Sequence, residues 1–202
     1  MLVDVDTTPI LSFVNVEGSL IFPPDADTSH QRSFDAKYII VKGGYMEAGT
    51  EDERYTSKLT ITMHSEMFDT HLPIFGNKVI GVYDGTLEMH GIERPVTWSD
   101  LWETADVGAT SITLNYDDAL DWAVGEEIVI ASTDFSGRNA EQRTIETITQ
   151  TGARPVITFT EPLAFKHYGN QLTFGADSIE MRAEVGLLTR NVKYQGDATS
   201  AD

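Results

Sequence analysis

The sequence predicts an all-β protein. Short apolar runs repeat with a period of two, turn residues separate them, and no amphipathic helical stretch of useful length occurs. Leu11 and Phe13, then Leu20-Ile-Phe22, bracket Glu17-Gly18-Ser19. Tyr38-Ile-Ile-Val41 runs into Gly43-Gly44, and Leu59, Ile61 and Met63 alternate with Thr60 and Thr62 as a half-buried strand should. Val79-Ile-Gly-Val82 and the pair Leu87, Met89 flank Asp84-Gly85, a hairpin or tight-turn signal. Ile112 with Leu114, Ile128-Val-Ile130, Ile145 with Ile148, Val156-Ile-Thr-Phe159, and Leu172 with Phe174 continue the pattern. Met181, Ala183, Val185 and Leu187 alternate again, and Val192 with Tyr194 closes the series. Only Val96–Ala105 reads as a helical turn or two. Roughly a dozen strands at this spacing fit a sandwich, a barrel or a solenoid, and periodicity does not choose among them.

A chain of 202 residues, 41% hydrophobic, is long enough to bury a core of ordinary size. Its 14 Lys and Arg face 32 Asp and Glu, a formal net charge of −18, which repels nucleic acid and anionic membranes. No apolar run nears the ~20 residues of a membrane-spanning helix, so no direct membrane insertion is expected. There is no cysteine, which excludes disulfides, thiolate zinc sites and cysteine nucleophiles. The amino terminus, Met1-Leu-Val-Asp-Val-Asp, lacks the basic stretch and apolar core of a signal peptide.

One ordered set of strings is more specific than generic β patterning. Gly76-Asn-Lys-Val-Ile-Gly-Val-Tyr-Asp-Gly-Thr-Leu-Glu-Met-His-Gly91 precedes Trp98, Leu101, Thr104-Ala105 and Gly108. Trp122-Ala-Val-Gly-Glu-Glu-Ile-Val-Ile-Ala-Ser-Thr-Asp-Phe135, Ala140-Glu141, His167-Tyr-Gly169 and Met181-Arg-Ala-Glu-Val-Gly-Leu-Leu-Thr-Arg-Asn-Val192 follow. This order resembles the G8 domain, together with the start of an adjoining parallel β-helix, of the cell-surface hyaluronidase, hyaluronan-binding cell-migration-inducing protein and fibrocystin-like family. The glycines that fit the family's eight are Gly18, Gly44, Gly49, Gly81, Gly85, Gly91, Gly108 and Gly125.

The resemblance implies a right-handed parallel β-helix with strands pairing in parallel between coils, and leaves a β-sandwich as the alternative. It sets a G8-type domain at 1–170 with an incomplete amino-terminal edge, first coils of the β-helix at 171–196, and a tail or linker at 197–202. It also implies an extracellular or cell-surface location, hence a chain cut from a longer protein or assembly. Asn191 suits a turn where asparagine stacks coil on coil.

Glu180, Arg182 and Glu184 would share one face of a continuous strand. Positions i and i+4 lie roughly 13 Å apart on a strand, whereas glycosidase carboxylates stand near 5 or ~6.5–9.5 Å apart. The two glutamates are therefore not a catalytic pair by themselves, although either can act with an Asp on a neighbouring coil. In hyaluronan-degrading relatives the acidic and arginine residues around Arg-Ala-Glu-Val are implicated in activity, but Glu180 stands where the family usually has aspartate. His30, His64, His71, His90 and His167 show no metal spacing, and His167 reads as a strand-end histidine bonded to backbone.

The catalytic candidates are thus Glu180, Arg182, Glu184 and His167, and the glycan-binding candidates Trp98, Trp102, Arg138, Arg143 and Arg190. Trp122 is assigned to the core. The cofactor expectation is none, or Ca²⁺ held weakly by Asp117, Asp118 and Asp121. The expected function is an extracellular module for glycan binding, adhesion or surface architecture, not catalytic alone, with a polysaccharide or another extracellular protein as partner. Its alternatives are a fragment of a hyaluronidase-like polysaccharide-degrading enzyme, whose site needs further β-helix, and a structural unit of a surface filament or coat.

Overall fold

The computed structural model describes residues 1–150 and 154–198. The fold is all-β: eighteen short strands, one 3-10 turn and six small sheets with no closed barrel among the described residues. No helix there is long and apolar enough to cross a membrane. The chain forms two compact units, Met1–Glu93 joined by the segment from Arg190 onward, and Arg94–Thr189.

In the first unit, β1 (Val14–Val16), β2 (Ser19–Ile21) and β3 (Gln31–Ala36) are followed by β4 (Tyr38–Lys42), β5 (Tyr45–Ala48) and β6 (Lys58–Met63). β7 (Val79–Tyr83) and β8 (Thr86–Met89) come next. Every pairing of these strands is parallel: β1–β4–β7 form one sheet, β2–β5–β8 a second, and β3–β6 the start of a third. Register keeps like with like, so Phe34 lies beside Ile61 and Leu20 beside Met46. Those side chains, with Phe22, Ile39, Val41, Tyr55, Leu59 and Met63, make a dry core. Arg32 is buried with them. Its guanidinium donates to the carbonyls of Val5 and Pro23 and to the Tyr55 hydroxyl, which pins the amino-terminal segment to the core.

Asp84-Gly85 makes a tight turn but not a hairpin. β7 and β8 sit in different sheets, and Asp84 takes a left-handed φ of 49° to turn the corner between them. The same two-residue corner recurs at Glu17-Gly18 and Gly43-Gly44, and the three stack. Tyr45 N donates to Gly18 O at 2.8 Å, and Thr86 N donates to Gly44 O at 2.9 Å. Backbone passes so close to backbone that a methyl group on Gly44 would overlap the Val16 carbonyl and lie 2.8 Å from the Gly18 oxygen.

The second unit differs from the parallel pairing that the resemblance implied, because every strand pair in it is antiparallel. It contains β9 (Trp98–Asp100), β10 (Ser111–Thr113), β11 (Glu127–Ile130), the 3-10 turn Gly137–Asn139, β12 (Glu141–Thr144), β13 (Thr147–Thr149) and β14 (Val156–Thr158). β15 (Gln171–Phe174), β16 (Asp177–Glu180) and β17 (Glu184–Leu187) complete it. At β15–β16 a short link imposes it. Gly175-Ala176 leaves two residues between β15 and β16, which reverses the chain and cannot carry a parallel crossover. The sheet order β12–β11–β17–β9 covers a core of Leu101, Leu114, Ile128, Ile130, Ile157, Phe159, Val185 and Leu187. Trp122 joins that core and donates its indole N–H to Val96 O at 2.7 Å.

The helical reading of Val96–Ala105 is corrected. Ser99 is buried between an exposed Trp98 and a half-buried Asp100, a two-residue alternation that pairs with β17 as a strand. The chain then returns to the first unit, where β18 (Val192–Gly196) adds in parallel to β6 and completes the third sheet.

The stacked corners generate a test. Gly44→Ala should cost about 3 kcal/mol in urea unfolding, because backbone must move. Gly18→Ala should stay within about 0.5 kcal/mol, since nothing lies within 4 Å of its added methyl. Equal midpoints for the two variants would contradict the stacking.

Candidate functional site

The sheet β12–β11–β17–β9 carries three of the nominated side chains, Trp98, Arg143 and Glu184. Glu180, Arg182 and Glu184 do not share one strand face, because the ladder stops after Glu180 and resumes at Glu184. Glu180 breaks it: its Oε1 accepts the amides of Met181 and Arg182, both at 3.1 Å, so those amides find no partner strand. Met181 is consequently exposed, and the buried alternation begins at Ala183. Glu180 Oε2 takes Gln171 Nε2 at 2.8 Å and Arg182 Nη1 at 2.7 Å. Gln171 foremost, with Arg182 and the two amides, lowers the Glu180 carboxyl below its usual range against the opposing effect of burial.

Glu184 has an acidic neighbour that sequence reasoning missed. Asp100 on β9 lies directly across from Glu184 on β17. Burial raises the Asp100 carboxyl, and Glu180 and Glu184 raise it further, against the pull of Arg182. The expectation of an Asp on an adjacent coil thus has a counterpart on an adjacent antiparallel strand. Its signal was the alternation Trp98-Ser99-Asp100, hidden under a helical reading.

His167 is fully buried. Its Nδ1 faces Ala131 O at 2.8 Å and its Nε2 faces Glu141 Oε2 at 3.0 Å. Both ring nitrogens thus face acceptors, one a backbone carbonyl and the other a carboxylate. Glu141 also accepts Arg143 Nη2 at 2.5 Å and the amides of Ala164 and Phe165, each at 2.9 Å. Burial works against the Glu141 charge, but the Ala164 amide, His167, the Phe165 amide and Arg143 outweigh it and hold the carboxyl at about 2. His167 and Glu141 are therefore a buried clamp on the 131 and 164–167 loops, without access to a substrate. The tell-tale was the string Ala140-Glu141, whose carboxylate no turn or surface role required.

The glycan candidates separate. Trp98 is 58% exposed on β9. Trp102 is 43% exposed, but Arg154 lies 3.9 Å from its ring centroid and Arg182 lies 6.0 Å from it. Arg143 donates to the carbonyls of Gln142, Glu161 and Pro162 and to Glu141, which engages four of its five N–H donors. Arg138 is exposed on the 3-10 turn, and Arg190 is half-buried just before β18. Trp98, Trp102, Arg138 and Arg143 thus belong to the second unit and Arg190 to the first.

Among the acidic trio, Asp117 pairs with Arg154, and Asp121 accepts Arg94 Nε at 2.9 Å. Asp118 Oδ1 accepts the amide of Ala119. Among the described residues no group of three or more His, Asp or Glu side chains is placed to hold a metal ion. Of the remaining glycines, Gly49 and Gly91 follow β5 and β8, Gly81 lies in β7 against the Phe75 ring, and Gly108 and Gly125 occupy turns of the second unit.

The Glu141 clamp sets an acid-stability prediction. Its folded value of about 2 lies below the 4.5 of the free side chain. Its stabilisation is therefore present above pH 4.5 and is lost as pH falls toward 2, on the order of 3 kcal/mol in all. Glu141→Gln should be less stable at neutral pH and should flatten that part of the stability–pH curve. A variant curve parallel to the wild-type one would contradict the clamp.

Residues 1–102 match the family description "G8 domain". Over 193 residues, 94% of this chain, it is 36% identical to fibrocystin-L of Mus musculus, and over 194 residues it is 36% identical to fibrocystin-L of Homo sapiens. A G8 domain-containing protein of Dictyostelium discoideum is 34% identical over 166 residues, 81% of this chain. The chain spans 4% of the length of each fibrocystin-L and 14% of the Dictyostelium protein. With the stacked glycine corners of its first unit, this chain belongs to the G8 domain family.

Proposed function

We propose that the chain is an extracellular or cell-surface module for adhesion, surface architecture or binding of uncharged glycan, not catalytic on its own, within a longer protein. The observation that carries this reading is the fate of the arginines. Arg143 is spent on four acceptors, Arg182 on Glu180, and Arg154 on Asn115 and Asp117. With a net charge of −18 and these three guanidinium groups engaged inside, the surface repels hyaluronan and similar polyanions.

The first unit suits the architectural part. Three parallel sheets with recurrent corners support a right-handed parallel β-helix of three coils, the hand that parallel crossovers prefer. A sandwich-like packing then describes the antiparallel second unit alone. The size of the relatives supports membership of a longer chain, whose other parts would supply the membrane anchor or filament contacts.

One observation favours the second reading, a hyaluronidase-like hydrolase. Cross-strand neighbours stand about 5 Å apart, close to the separation of a retaining carboxylate pair, and Asp100 is biased toward holding its proton beside Glu184.

Thermal-shift titration with hyaluronan, in calcium and in EDTA, together with a reducing-end assay, separates the readings. The scaffold reading expects no shift in either buffer and no reducing ends. Cleavage of hyaluronan that disappears in Asp100→Asn would replace it with the hydrolase, and a calcium-dependent shift without cleavage would restore the acidic-glycan and Ca²⁺ expectation.

A further inference from the structure

The outer face of the β12–β11–β17–β9 sheet carries one row that the fold itself does not explain. Register places Gln142, Val129, Gly186 and Trp98 side by side across the four strands. Trp98 is more than half exposed, although it lies opposite a glycine over which an indole could have folded down. It does not fold down. A methyl group added to Gly186 would touch only Val129 Cγ1, at 3.4 Å, and no atom of Trp98 lies within 4 Å of it.

Gly186 has neither a positive φ nor a close backbone neighbour, so neither conformation nor packing requires glycine there. Its lack of a side chain leaves a slot open over its own backbone, beside Val129 and opposite Trp98 in register. Two residues along each strand, on the same face, stand Asp100 and Glu184. The slot is thus walled by one exposed aromatic, floored by backbone, and bordered by two carboxylates and a carboxamide.

We propose that this slot binds a neutral pyranose unit of a polysaccharide, stacked on Trp98 over Gly186, with its hydroxyls donating to Asp100 and Glu184. Sugar rings combine an apolar C–H face with a rim of hydroxyl groups, and an indole beside two carboxyl groups complements both. The same carboxylates repel uronates and sulfated sugars. A purely apolar peptide would leave them desolvated and unpaired. This assignment rests on the non-catalytic glycan-binding reading and narrows it to one site and one ligand class.

The test is isothermal titration of the whole chain with cellohexaose, xylohexaose, laminarihexaose and chitohexaose, with a hyaluronan hexasaccharide alongside. At least one neutral hexaose should bind, with affinity reduced roughly tenfold or more in Trp98→Ala. Gly186→Ala, which packing tolerates, should also weaken binding without lowering the unfolding midpoint. No heat with any of the four neutral sugars overturns the assignment, as does neutral-sugar binding that survives Trp98→Ala in a folded protein. Hyaluronan binding lost in Trp98→Ala overturns the neutral class. Cleavage of any titrant defeats the non-catalytic reading instead, so the two failures are distinguishable.

Discussion

The first unit depends on what one carboxamide does where the chain comes back. Asn191 Nδ2 donates to Tyr55 O at 2.7 Å and Ser57 O at 2.8 Å, and its Oδ1 accepts Ile92 N at 2.9 Å. One side chain thereby joins the loop before β6, the point of departure at Ile92, and the point of return. Gly91 is part of the same joint, because a methyl group there would collide with Asn191 Oδ1. Leu59 N then donates to Asn191 O at 2.8 Å, which starts the β18–β6 ladder in its register. The joint thus holds Ile92 and Asn191, which flank the second unit in sequence, to one place in the first. The expected stack of asparagines is in fact a single asparagine that spans three segments.

Charge is organised to the same end. An excess of acid is tolerable when the strategic carboxylates are consumed inside. Glu141 clamps two loops, and Asp35 and Asp197 flank His64 from either side at 2.7 and 3.2 Å. Asp197 also meets Lys78 at 2.8 Å, so the end of β18 is tied down by ions as its beginning is tied by amide bonds. The basic residues serve this internal work, which is why they offer so little to an outside polyanion. On the outer face of the β12–β11–β17–β9 sheet, Asp100 and Glu184 share a side with the exposed indole of Trp98.

Much of the fold was legible in the sequence. Period-two runs at Leu59–Met63 and Ile128–Ile130 became strands, and Trp122 is core, because both depend on local pattern and side-chain chemistry alone. What was hidden depends on partners distant in sequence. Asp84-Gly85 carries the same turn chemistry whether the flanking strands pair with each other or with other coils. The break after Glu180 arises from a carboxylate that turns back on its own amides. Trp98–Asp100 is a strand because β17 is there to pair with it. At the site, Trp98 and Glu184 could be nominated from residue type, but Asp100, Glu141 and Gly186 acquire meaning only once register sets them beside Glu184, His167 and Trp98.

Amide hydrogen exchange on Asn191→Ala tests the joint most directly. Removing the side chain breaks the three hydrogen bonds that anchor Asn191 just ahead of the last parallel ladder, worth about 3 kcal/mol together. The account predicts that amides of Val192–Gly196 and of Lys58–Met63, paired strands of one sheet, lose protection first and by roughly a hundredfold. Unchanged protection of those two strands in a folded variant would contradict the claim that Asn191 holds the returning chain in place.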